Sequence, residues 1–172
     1  MGMVHIYCGD GKGKTSAALG LALRAAGSGL TVLAARFLKN DRSGEVEALK
    51  QVRGIALLPC RREFGFFWNM TEPEKAQAKE YYGALFEEAW QRACGEYDVL
   101  VLDEILAAVR HGLVEEGRLL EALDTRPEGL EVVLTGRDPS QALLKRADYI
   151  TRMECVRHPY EKGVEARRGI EY

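Results

Sequence analysis

Short apolar runs alternate with longer stretches in which apolar positions recur every three or four residues, and this alternation predicts strands of a parallel sheet covered by helices. Residues 4–8 read as a first strand and 14–26 as a helix rich in Ala and Leu, closed by Gly27 and Gly29. Residues 30–37 and 55–59 read as the next two strands, with a short helix over 45–52 between them. A long helical pattern opens at Thr71, with Glu74 at the spacing of a capping box. Tyr82, Leu85, Phe86, Ala89, Trp90 and Ala93 share one face of that helix, which places Trp90 in the core. Residues 97–103 are the most strand-like of all. Helices over 104–111 and 115–123, a strand over 130–135, a helix over 141–147 and a strand over 149–153 follow. Residues 61–71 are aromatic-rich and aperiodic, and the tail from 158 to 172 carries no regular pattern.

Composition narrows the class. A chain of 172 residues, 47% hydrophobic and 29% charged, has the balance of one globular domain over 1–172, so disorder, collagen and coiled coil drop out. With 24 Lys and Arg against 26 Asp and Glu, the net charge of −2 draws neither nucleic acid nor anionic lipid, and any anion site must be local. Cys8, Cys60, Cys94 and Cys155 form no C-x-x-C pair, so buried reduced thiols are expected rather than a zinc or redox motif. The sequence shows no basic-then-apolar leader. Arg24, Asp103 and Glu104 interrupt its longest apolar stretches, and Ile6 stands where a myristoylation signal needs a hydroxyl. A cytoplasmic protein with neither a membrane nor a nucleic-acid partner is expected.

The chemistry begins at residues 8–15, C-G-D-G-K-G-K-T, which follow a strand and open a helix. Gly13, Lys14 and Thr15 fit the phosphate-loop pattern, although its first position, usually Gly or Ala, is Cys8. Phosphate oxygens need closely approaching backbone N–H groups, which glycines permit, and a helix N-terminus adds partial positive charge there. Gly9, Asp10, Gly11, Lys12, Gly13, Lys14, Thr15 and Ser16 are therefore the candidate ATP-binding residues, with Lys14 reaching phosphate and Thr15 holding Mg²⁺. A ligand-free glycine turn is the competing reading. It has no use for Lys12 and Lys14 crowded at a helix start, where cations oppose the dipole.

Residues 98–104 make an apolar strand that ends in Asp103 and Glu104, the form of an element that binds Mg²⁺ directly or through water. The alternative is that the two carboxylates cap the next helix. In phosphate-loop folds the acid-bearing strand is expected beside the loop-bearing strand, so that the motifs meet. Which bond breaks stays open, because neither an acceptor base nor a site for an attacking water is identifiable.

Several stretches together resemble the ATP:corrinoid adenosyltransferases, the phosphate-loop family that makes adenosylcobalamin. Residues 9–18, GDGKGKTSAA, are similar to the family's GNGKGKTTAA. Phe37-Leu38-Lys39 with Gly44-Glu45 resembles its F-I-K…G-E, and Gly65 to Trp68 its G-F-T-W. Leu102-Asp103-Glu104, Thr135-Gly136-Arg137, Ala147-Asp148, His158-Pro159 and Gly169-Ile170-Glu171 recur in family order, so the likeness covers nearly the whole chain.

The resemblance implies an α/β, RecA-like phosphate-loop domain in three layers with a mainly parallel sheet. It also implies attack by Co(I) of a reduced corrinoid on the ribose 5′-carbon of ATP, with release of triphosphate. A Co(I) nucleophile carries no proton, so no catalytic base is needed. Lys14 and Thr15 would hold the triphosphate and Mg²⁺, with Glu104 on the metal and Asp103 in support. Phe66 and Trp68 match the aromatics that displace the lower axial ligand of the corrinoid, which eases reduction of Co(II); plain core packing is their alternative. Lys14, Phe66 and Trp68 thus form the candidate catalytic set, and a flavoprotein reductant and a homodimer belong to the same expectation.

The pattern has departures: Phe67 replaces a hydroxyl residue, Arg36 a Gln and Arg157 a Lys. The chain begins almost at its first strand, without the N-terminal arm that covers the site in longer relatives, so its closure is left open. Arg137 is read as a phosphate or corrin contact or as one half of an ion pair, and His5 and His111 as structural. Two rivals remain, a small-molecule kinase and a non-catalytic module gated by ATP.

Overall fold

The computed structural model describes residues 1–41 and 43–170. Among these, six strands pair in the order β3-β2-β4-β5-β1-β6, and every pairing is parallel. They are β1 (Val4–Cys8), β2 (Val32–Arg36), β3 (Ile55–Leu57), β4 (Val99–Asp103), β5 (Glu131–Thr135) and β6 (Tyr149–Arg152). The second and third strands are shorter than their apolar runs. Leu30 is drawn into the turn that ends the preceding helix, its N–H bonded to the Ala25 carbonyl, and Pro59 has no N–H for a ladder.

Strand residues point alternately to the two faces, and each face has its own cover. Val32, Ala34, Val99, Val101 and Val133 pack against Ala18, Leu19, Ala22 and Ala25 of α1 (Lys14–Gly27) and Leu49 of α2 (Gly44–Lys50). Leu33, Ala35, Leu100, Leu102, Val132 and Leu134 pack on the other face. Their cover is α3 (Glu72–Glu96), α4 (Ile105–Arg110), α5 (Glu116–Thr125) and α6 (Gln141–Arg146). The predicted apolar face of α3 is buried in full, Trp90 included, and the capping box at Thr71 and Glu74 forms.

The sheet order corrects one expectation. The acid-bearing strand β4 does not lie beside β1; β5 stands between them. The two motifs still meet, because α1 packs across β1, β5 and β4, and Thr15 in its first turn reaches Asp103 at the end of β4. Phosphate loop, acids and the end of β5 thereby gather on one rim of the sheet, where open α/β folds bind ligands.

The thiol expectation needs a similar correction: Cys8 is buried, but Cys60 is half-buried, and Cys94 and Cys155 are exposed. Only the thiol on a central strand is shut in. Past β6, the tail contains one 3₁₀ turn, Pro159–Lys162, whose preceding His158 ring accepts the Tyr160 N–H. Glu171 of the quoted pattern lies outside the described residues.

Candidate active site

The phosphate loop is held from behind by the chain that leaves β6. The Met153 N–H bonds the Cys8 carbonyl, and the Gly11 N–H bonds the Met153 carbonyl, each at 2.8 Å. A Cβ on Gly9 would stand 2.2 Å from the Met153 carbonyl oxygen, and its φ of +102° is one that side chains avoid. Gly13 is also left-handed and hands over to α1, so the first N–H groups of that helix face the loop's hollow. Lys14 is buried and donates to the Gly11 carbonyl at 2.8 Å, folded over the place where phosphate oxygens are expected.

Across the rim, Asp103 is 1% exposed and fully engaged. Its Oδ1 accepts from Thr15 Oγ1 at 2.9 Å and from Thr135 Oγ1 at 2.7 Å, and its Oδ2 accepts from Lys39 Nζ at 2.6 Å. Lys39 also donates to Thr15 Oγ1 at 2.8 Å. Thr135, at the end of β5, accepts the Glu104 N–H at 2.8 Å, so the strand that separates the motifs also bridges them. Glu104 adopts left-handed backbone at φ 60° as β4 turns into α4, and it lines the cavity beside the loop.

That cavity, about 730 Å³, is bounded by residues 12–16, Leu19, Lys39, Asn40, Glu45 and Glu104, with Gly169 and Ile170 of the tail on its rim. A second cavity of about 630 Å³ adjoins it and shares Lys39, Asn40 and Glu104. Its walls are Leu38, residues 63–68, Ala107, Arg110, His111 and Arg137.

The aromatic loop that forms one wall is rooted in the core and bare at its tip. Phe64 sits 5.7 Å from both Tyr81 and Tyr82, and the Arg61 N–H donates to the Tyr81 hydroxyl. Burial pushes the Tyr82 phenol up to about 12, so it stays a neutral core group. Phe67 stacks on His111 at 4.2 Å, which gives the departure at this position a packing role. Burial first, and then neighbouring Arg110, lower the His111 pKa from its ordinary 6.5. Phe66 and Trp68 stack on each other at 5.1 Å yet are 68% and 72% exposed, so core packing does not account for them.

The structure thus sets residues 12–16 and Glu104 around one cavity, with Asp103 buried behind Thr15 and Gly9 to Gly11 forming the back of the loop, and sets Phe66 and Trp68 on the next. Arg137 has no ion-pair partner among the described residues and lines the aromatic cavity. His5 is structural, paired with Glu131 and stacked on Tyr149. Lys39 and Thr135 were missed as site residues by motif reasoning. The Lys39 signal was its place in the quoted Phe37 to Lys39 segment; Thr135 had only its position at a strand end.

Comparison with known proteins gives a consistent result. The family model for the ATP:corrinoid adenosyltransferases BtuR/CobO/CobP matches residues 1–172. The corrinoid adenosyltransferase of Pseudomonas aeruginosa is 32% identical over 177 residues, covering 99% of this chain and 84% of the relative. That of Escherichia coli K12 is 31% identical over 176 residues, with 99% and 86% covered. Among solved structures, a KaiC-like protein from Pyrococcus horikoshii superposes with a TM-score of 0.52 at 18% identity, covering 88% of this chain and 71% of that one. The last likeness concerns the fold alone.

Proposed function

The chain belongs to the BtuR/CobO/CobP family of ATP:corrinoid adenosyltransferases, and from that premise we propose how its two cavities divide the work. The enzyme transfers the 5′-deoxyadenosyl group of ATP to Co(I) of a corrinoid. A cobalt–carbon bond forms, the bond from C5′ to the triphosphate oxygen breaks, and the triphosphate leaves with the electron pair.

In our reading, the loop of residues 9–16 holds the triphosphate, and Lys14 turns from the Gly11 carbonyl to neutralise the leaving group. The donors beside it are oxygens alone: the Thr15 hydroxyl, Asp103 and Glu104. No cluster of three His, Cys, Asp or Glu side chains suited to a metal occurs among the described residues. This set fits Mg²⁺, which takes one or two carboxylates and leaves its other positions to phosphate and water. Glu104 is assigned as the direct carboxylate ligand, with Asp103 in support through Thr15. When bound, the ion supplies charge neutralisation for the departing triphosphate.

Phe66 and Trp68 are assigned to the corrinoid, on the lower axial side of its cobalt. Their exposure supports a surface completed by substrate rather than by the protein's own core. The observation that carries the whole reading is the shared wall. Because Lys39, Asn40 and Glu104 line both cavities, a nucleophile held in one lies next to a sugar carbon held in the other, and alignment is most of what proton-free chemistry asks.

The working unit is a single domain over 1–172, in the cytoplasm, supplied with electrons by a flavoprotein reductant. Among the described residues no helix is long and apolar enough to cross a membrane. A homodimer is supported by the open edge at β6, where Tyr149 and Ile150 are 54% and 49% exposed. The kinase and the ATP-gated module have no observation in their favour. Anaerobic mixing of chemically reduced corrinoid with Mg·ATP tests the assignment. The expected result is an adenosylcorrinoid spectrum with one inorganic triphosphate per turnover; ADP would mean a kinase, and an unchanged spectrum a binding module.

A further inference from the structure

A carboxylate as buried as Asp103 needs a compensating cation, and Lys39 provides it. The three-way contact among Lys39, Thr15 and Asp103 has only one possible sense. An ammonium is donor-only and a carboxylate acceptor-only, so Thr15 donates its O–H hydrogen bond to Asp103 Oδ1 and accepts one from Lys39 Nζ. Lys39 thereby occupies one of the two lone pairs of Thr15 Oγ1 and places its ammonium between Thr15 and Asp103, where it repels a cation arriving beside the loop. Lys14 does not compete for this seat, since its ammonium rests on the Gly11 carbonyl.

The loop that carries Lys39 is built to hold it there. Leu38 is left-handed at φ 55°, a conformation that costs a branched side chain energy and needs support from its surroundings. Buried Arg36 supplies that support, bonding the Asn40 carbonyl at 2.8 Å and pairing with Asp41, whose other carboxylate oxygen accepts the Cys60 N–H at 3.0 Å. Lys39 itself keeps 27% of its side chain exposed and borders both cavities, so it has room to leave.

We infer that Lys39 is a built-in stand-in for the divalent ion, neutralising Asp103 in the nucleotide-free protein and giving up its place on Thr15 and Asp103 when metal and ATP arrive together. This rests on the assignment of Thr15, Asp103 and Glu104 to Mg²⁺. A singly charged side chain is exchanged for a doubly charged ion as the triphosphate brings in negative charge, so the buried carboxylate is never left unpaired. The filled seat also makes free metal a poor ligand, which favours entry of the metal with its nucleotide.

Electron paramagnetic resonance with Mn²⁺ as the probe, on nucleotide-free protein, tests the exchange. Lys39→Met is expected to bind Mn²⁺ at least about tenfold more tightly than wild type, because a competing unit charge has gone. Lys39→Arg, which keeps the charge, should stay near wild type. Metal-free Lys39→Met should melt below wild type and recover with Mn²⁺, a rescue that a merely structural lysine would not give. Unchanged or weaker Mn²⁺ binding by folded Lys39→Met would overturn the inference. Wild-type crystals soaked with Mn²⁺ and ATP give a second reading should that variant not fold. An anomalous peak beside Thr15 with Lys39 withdrawn from Asp103 supports the exchange, and a peak with Lys39 still on Asp103 refutes it. Manganese bound away from Thr15, Asp103 and Glu104 would remove the metal assignment itself, and the inference with it.

Discussion

At the phosphate loop, Lys14 and Asp103 are buried, and both oxygens of Asp103 are hydrogen-bonded within the protein. In the aromatic-lined cavity, across Lys39 and Glu104, Phe66 and Trp68 present stacked rings to open space. Charge taken out of water has to be matched inside the fold before any ligand arrives, or the fold bears its desolvation. Apolar surface left in water carries a smaller cost, and any partner that covers it recovers that cost. On the proposed assignment, preorganisation sits where a leaving group would develop charge, and the adaptable surface sits where a bulky reactant would enter and leave.

The sharpest way to break this contrast is Lys14→Ala. Loss of leaving-group stabilisation should lower kcat by about a thousandfold in the anaerobic assay, with little change in corrinoid affinity. Gly9→Ala should come next, since its Cβ meets the Met153 carbonyl and its φ is unfavourable. ATP affinity by calorimetry is expected to fall roughly a hundredfold, about 3 kcal/mol, as the loop is forced off β6. An Ala variant that bound ATP normally would show that the loop is not set from behind.

Trp68→Ala probes the other side more gently. With Co(I) generated chemically the rate should stay within about threefold of wild type, whereas turnover starting from Co(II) and a reductase should drop about tenfold or more. Equal losses in both assays would remove the axial-ligand role and leave plain binding.

His111 gives the smallest effect. Its folded pKa lies below the ordinary 6.5, so the unfolded chain binds the proton more readily. Stability should be fully present above about pH 6.5 and decline as pH falls from there towards the lower folded value. Melting curves between pH 7 and 5 should show this decline in wild type, and His111→Phe, which keeps a ring against Phe67, should reduce it.

Much of this was legible along the chain. The spacing at Thr71 and Glu74, the apolar face that ends in Ala93, and the strand–glycine–helix sequence around Lys14 each state their structure locally. The same was not true of the thiols. Nothing in the local pattern around Cys94 or Cys155 distinguishes a solvent-facing sulfur from the buried Cys8, because burial depends on which elements come to lie on top. For Phe66 and Trp68 the sequence left core packing as the alternative, and their exposure shows only in the fold, where Phe64, not either of these rings, is rooted against Tyr81 and Tyr82.

By itself the chain of residues determined the type of each element, the phosphate-binding turn and the carboxylates at a strand end, since these rest on backbone geometry and periodicity within a few positions. Tertiary structure alone decided that β5 would stand between the two motifs, that Thr135 would bridge them, and that Lys39 would meet Thr15 and Asp103. Strand order is set by how whole layers pack, and contacts between residues so far apart along the chain exist only once that packing has been chosen.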